Sequence, residues 1–89
     1  MELEQLRMFL AVAECKSFTE AAKRLFVSHS TTSRAVSALE RELGTDLFRR
    51  HSRSVILTPA GEVLVQRAEA LLREAESLAE AVKRAAETT

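Results

Sequence analysis

One cysteine, one proline, two glycines and neither tryptophan nor tyrosine occur among these 89 residues, and each scarcity excludes something. A single thiol cannot close an internal disulfide or furnish a Cys-rich zinc site, which favours a reducing compartment. So few turn formers make the chain lean helical. No apolar run approaches the ~20 residues of a membrane helix, so no membrane association is expected. Glu2 and Glu4 open the chain, which excludes a cationic signal segment. His29 and His51 have no partners at metal-ligand spacing and accompany no recognisable nucleophile motif or acid partner. No metal, cofactor or catalytic activity is therefore expected. The apolar share of 46% is ordinary for a globular chain. At this size the core is thin, and help from a partner chain is expected.

Net charge is absent too: thirteen Lys and Arg balance thirteen Asp and Glu. The surplus of cations that marks most nucleic-acid binders is missing. The average hides a pattern, however. Residues 1–20 carry two cations against four anions, and residues 58–89 carry four against six. Residues 21–57 carry seven cations against three anions, a local net charge of +4. A basic middle lies between acidic flanks, so any nucleic-acid contact belongs to one face of the molecule.

From Leu3 to Cys15, the apolar residues Leu6, Phe9, Leu10 and Ala13 recur at helical spacing and give one apolar face. Cys15 ends that face as a packed thiol. Ser17-Phe18-Thr19-Glu20 reads as a capping box opening a short second helix with Ala21, Ala22 and Leu25. Phe26-Val27 makes a tight connection, and Ser28 caps a third helix that runs to Leu43 and stops at Gly44. Leu47–Arg50 and Ser54–Leu57 are short β-prone stretches forming a hairpin, with Arg49 a surface charge near Asp46. Thr58-Pro59 starts a final helix that continues uninterrupted to about Ala86, roughly 40 Å at 1.5 Å per residue.

That last helix carries Leu64, Ala68, Leu71, Ala75, Leu78, Val82 and Ala85 in alternating steps of four and three. Such spacing is the seam of a coiled coil, sustained here over about three heptads. Leu72 and Ala79 belong to a second stripe that widens it. The helix is too long to lie wholly on so small a body, so a second copy is expected against Leu64, Ala68, Leu71, Leu72, Ala75, Leu78, Ala79 and Val82. The expected fold is mainly α: a winged helix-turn-helix of three helices plus a β-hairpin wing over residues 1–58, then a linker and dimerisation helix over 59–89.

A helix-turn-helix places its second helix in the major groove of double-stranded DNA. The third helix here presents Ser30, Ser33, Arg34, Ser37 and Arg41 opposite its apolar positions. Small hydroxyl residues, Thr31 among them, let the backbone approach phosphates and can bond phosphate or base edges. Arg34 can reach guanine N7 and O6 with two hydrogen bonds. His29 and Ser30 lie at the helix N-terminus, where base contacts cluster in such motifs and the positive helix end attracts phosphate. The hairpin, bearing Arg50 and Arg53, suits the minor groove or the backbone.

Ser17-Phe18-Thr19-Glu20-Ala21-Ala22, Leu25-Phe26-Val27-Ser28, Ser33-Arg34, Leu39-Glu40, Leu43-Gly44, Leu47-Phe48, Arg50, Arg53 and Leu57-Thr58-Pro59-Ala60-Gly61 together resemble the N-terminal domain of LysR-type transcriptional regulators. The match covers roughly residues 3–65 almost without a gap. The resemblance implies a cytoplasmic, nucleoid-associated regulator that binds an interrupted palindrome upstream of regulated genes. It implies a homodimer with antiparallel linker helices, and base or backbone contacts at His29, Ser30, Ser33, Arg34, Arg50 and Arg53. Full-length members also carry a larger effector-binding domain, which these residues do not include; a chain stopping just after the linker helix is expected to be a piece cut from such a protein. Two features depart from the family. His29-Ser30 stands where Gln-Pro is common, which alters the expected base preference, and the wing turn between His51 and Ser54 has no glycine. The rival reading is a winged-helix adaptor that docks another protein; the basic stretch and the Ser/Arg face favour DNA.

Overall fold

Three short apolar stripes on 89 residues can bury themselves only against one another, and the computed structural model, which describes residues 1–52 and 54–88, arranges them so. Helix α1 spans Leu3–Cys15, α2 Phe18–Leu25 and α3 His29–Leu43; strands β1 (Phe48–His51) and β2 (Ser54–Leu57) follow, and helix α4 runs Pro59–Glu87. The order is the one expected from periodicity and caps. Leu6, Phe9 and Val12 of α1 meet Phe18 and Ala21 of α2 and Val36 and Leu39 of α3 in a single core, closed by Leu47, Phe48 and Val55 from the wing and its approach.

The helix starts follow the hydroxyl caps. Ser17 Oγ accepts from Glu20 N at 3.1 Å, Ser28 Oγ from Thr31 N at 3.0 Å, and Thr58 Oγ1 from Gly61 N at 3.0 Å. The expected capping box of α2 is only half formed, because the Glu20 carboxylate instead lies 3.7 Å from Lys23 Nζ. A reciprocal bond occurs at α1, where Glu2 N donates to Gln5 Oε1 at 3.0 Å. Two helices end in the left-handed region without glycine: Lys16 has φ 55° and Phe26 φ 58°. Phe26 is 95% exposed, so its side chain contributes no burial to offset that backbone geometry.

The strands pair antiparallel, with Phe48 opposite Leu57 and Arg50 opposite Val55. A two-stranded ribbon is marginal alone. This one is held by Phe48 and Val55, both buried, and by a hydrogen bond from Val55 N to Lys16 O at the end of α1. Arg49 sits opposite Ile56 on the other face and makes no ion pair with Asp46 among the described residues, so the expected proximity produces no bridge.

The start of α4 is locked to the segment before β1. Thr58 Oγ1 donates to Asp46 O at 2.7 Å, and Thr58 N donates to Leu47 O at 3.0 Å. Gly61 is buried there: a Cβ on it would overlap the Leu47 carbonyl oxygen and lie 2.9 Å from Leu57 Cδ2. Gly61→Ala should therefore destabilise the domain by about 1–3 kcal/mol, since backbone rather than a flexible side chain must yield. Urea unfolding measures this, and a stability unchanged from the parent would refute the close approach.

Candidate nucleic-acid interface

Helix α3 buries Thr32, Ala35, Val36 and Leu39 and so turns Ser30, Arg34, Ser37 and Arg41, spaced four, three and four, to the outside. His29 is exposed as well, while Thr31 and Ser33 are half-buried. At the N-terminus the hydroxyls form a cluster: Ser28 Oγ lies 2.7 Å from Thr31 Oγ1 and 3.2 Å from Ser30 Oγ. Thr31 thus spends its hydroxyl on the cap, which leaves Ser30 the more outward of the two.

The expected contact residues fall on two sides of α3. Thr31, Arg34 and Ser37 line a shallow groove shared with Arg41 and the N-terminal turn of α1. His29 and Arg50 line a second groove, between the start of α2 and the wing, with Ser17, Thr19 and His51. Arg53 lies outside the described residues. Among the described residues no carboxylate lines the second groove, whereas Glu2 and Glu4 reach the first.

Electrostatics separate the cations further. Lys23 and Arg24 are occupied by carboxylates, at 3.7 Å from Glu20 and 3.0 Å from Glu14. Among the described residues Arg34, Arg41, Arg49 and Arg50 have no carboxylate within ion-pair distance. The local charge of the middle segment is therefore concentrated on α3 and the wing. Cys15 is a half-buried free thiol packed against the core. Among the described residues, no three His, Cys, Asp or Glu side chains gather as metal ligands.

One residue of this region has a role that the sequence reading missed. Glu40, on the inner side of α3, accepts hydrogen bonds from Leu47 N at 2.8 Å and Phe48 N at 3.4 Å. Its carboxylate ties the helix carrying Arg34 to the strand carrying Arg50. A partner seven residues away across a loop leaves no periodic signal; only the need to satisfy two donors before a strand could have suggested it.

The apolar stripe of α4 divides in two. Ala68 is 1% exposed and belongs to the core, with Leu64 packed beside it. Ala68, expected in a seam between copies, is covered by the chain's own body, and Leu64 is partly covered by it. Leu72 and Ala75 are half-buried, and Leu71, Leu78, Ala79 and Val82 are exposed. No helix of the described residues is long and apolar enough to cross a membrane.

A family model described as a bacterial regulatory helix-turn-helix protein of the lysR family matches residues 3–62. The HTH-type transcriptional regulator XapR of Escherichia coli is 51% identical over 71 residues, 80% of this chain and 24% of its own length. A probable hydrogen peroxide-inducible genes activator of Streptomyces viridosporus is 49% identical over 78 residues, 88% of this chain and 25% of its own. The chain thus spans about a quarter of the length of these curated relatives. Among solved structures, the CbnR DNA-binding domain in complex with DNA superposes with a TM-score of 0.94 at 40% identity, covering 97% of this chain and 99% of that one. The BenM DNA-binding domain on its benA site 1 DNA gives 0.89 at 43% identity, covering 94% and 98%.

Glu40→Ala should cost about 1–3 kcal/mol, because the N–H of buried Leu47 loses its acceptor. Thermal unfolding measures it; a loss below about 0.5 kcal/mol, the range of ordinary surface changes, would show the tie to be dispensable.

Proposed function

Because the chain belongs to the LysR family of bacterial regulatory helix-turn-helix proteins, we propose that it is the sequence-specific DNA-binding module of a cytoplasmic, nucleoid-associated transcriptional regulator, without enzymatic activity. The observation that carries this reading is the outer face of α3. It is small, polar and cationic, with Arg34 and Arg41 free of carboxylates among the described residues and the wing's Arg50 beside its N-terminus.

Helix α3 enters the major groove. His29, Ser30, Ser33 and Arg34 address base edges, while Ser37 and Thr31 stay near the backbone. Arg50 and Arg53 hold the duplex from the wing, along the backbone or in the minor groove. His29, where the family commonly has glutamine, offers an imidazole donor or acceptor rather than an amide and so shifts the base preference. Two copies associate through the outer part of α4, where Leu71, Leu78 and Val82 are 50%, 63% and 62% exposed. Antiparallel pairing there sets two recognition helices against an interrupted palindrome. The division of labour assigns residues 1–58 to DNA and 59–89 to dimerisation.

In vitro selection of bound duplexes, followed by titration at several salt concentrations, tests the reading. Affinity should fall linearly on a logarithmic scale, with a slope of about −0.9 per phosphate neutralised. No retardation of any duplex at low salt would favour a protein-docking adaptor instead. Arg34→Ala should cost about 1–3 kcal/mol on the selected duplex and relax preference at one base position. Arg50→Ala should weaken selected and random duplexes more evenly than Arg34→Ala does; equal behaviour of the two variants would overturn this assignment of base and backbone contacts. Leu78→Glu should convert the dimer to monomer in sedimentation velocity, and an unchanged dimer would remove α4 from the interface.

A further inference from the structure

Phe18 is the first residue of α2 and, at 6% exposed, is part of the core. Its surroundings are more particular. One side of the ring meets Phe48 edge-on at 6.0 Å, and Phe48 in turn stacks with Phe9 at 5.2 Å, which anchors Phe18 to the middle of the domain. The Arg50 guanidinium lies 4.5 Å from the ring centroid. The His29 imidazole lies 6.0 Å away, inclined at 46°. A single rigid ring thus touches the first residue of α3 and a cation of the wing.

Strand alternation explains why. Arg50 is two residues after the buried Phe48 and shares its face of the hairpin, so its side chain is directed back over the helices. An arginine left in solvent carries considerable rotamer entropy, part of which is lost when it binds. Stacking on a fixed aromatic face restricts it beforehand. Neither the Arg50 guanidinium nor the His29 imidazole makes a hydrogen bond among the described residues, so the polar capacity of both remains available to a ligand.

We propose that Phe18, which offers DNA no polar atom of its own, is a positioning residue that sets His29 and Arg50 together, so that the recognition-helix and wing contacts are made as one unit. The proposal rests on the DNA-binding reading above. It makes the two contacts energetically coupled: both side chains line one groove over the fixed ring, so removing either opens room into which the other can turn, and the other loses part of its placement.

A double-mutant cycle on the selected duplex tests it with the 89-residue chain. His29→Ala combined with Arg50→Ala should lose at least about threefold less affinity than the product of the two single losses. In a Phe18→Leu background, which keeps an apolar side chain but no ring, the same two losses should multiply. Phe18→Leu alone should weaken binding about three- to tenfold. A merely structural role for Phe18 lowers the melting temperature but leaves the cycle unchanged. The side-chain protons of Arg50 give a second measurement without DNA: ring current should shift them upfield in the parent chain. Losses that simply multiply in the parent chain, or Arg50 resonances at unshifted positions, would overturn the proposal. Should Phe18→Leu fail to fold, the parent cycle and the Arg50 resonances still decide. Failure to bind any duplex, with upfield Arg50 protons intact, would strike the DNA reading and leave the ring contact standing.

Discussion

Everything in this domain is arranged around the backbone of Leu47. Its amide is held by Glu40 of α3, its carbonyl receives Thr58 N, and its side chain is 1% exposed in the core. Gly61 comes so near that carbonyl that a methyl group would not fit. Helix α3, the wing and helix α4 therefore meet at one residue. An unpaired buried amide or carbonyl is costly, so none of the three can move without breaking a bond the others need. This junction gives a body with few aromatic residues and a thin core a defined geometry on its outer faces.

Local signals carried most of the fold into the sequence. Ser17, Ser28 and Thr58 cap helices because a hydroxyl three residues before an amide is a short-range arrangement, and such arrangements read directly. The wing was visible from Val55-Ile56-Leu57 and its breakers, and the outer face of α3 from the spacing of Ser30, Arg34, Ser37 and Arg41. What periodicity could not convey was which surface covers a stripe. The seam of α4 is one pattern from Leu64 to Val82, yet Ala68 packs on its own body while Leu78 is open. Heptad spacing states that a face is apolar and says nothing of whether its cover comes from the same chain.

The same limit applies to single residues. Glu40 carried no legible role of its own, because its two amide partners lie across a loop. Phe18 was legible only as part of the capping box, and its contacts with His29 and Arg50 arise only when α2, α3 and the wing converge. Arg49 lines a groove with Asp46 and the start of α4, yet the two form no ion pair among the described residues. Side-chain direction in a strand alternates strictly, so the adjacent arginines take opposite faces: Arg50 lies over Phe18 and Arg49 on the side of Asp46 and Pro59.

The turnover at Ala68 has a geometric consequence for any assembly built on α4. Up to that residue the helix is fastened to the body; beyond it, about two-thirds of its 29 residues form a stiff strut. Each residue of helix advances 1.5 Å and rotates about 100°. The strut therefore works as a phase shifter, and the direction of its open stripe is set by the number of residues past the fastening point. One inserted residue would swing that stripe about a quarter-turn around the body, whereas seven would lengthen the strut by about 10 Å and nearly restore the bearing. In an assembly joined through α4, the distance and relative bearing of the two α3 helices would in this sense be counted out along α4, residue by residue.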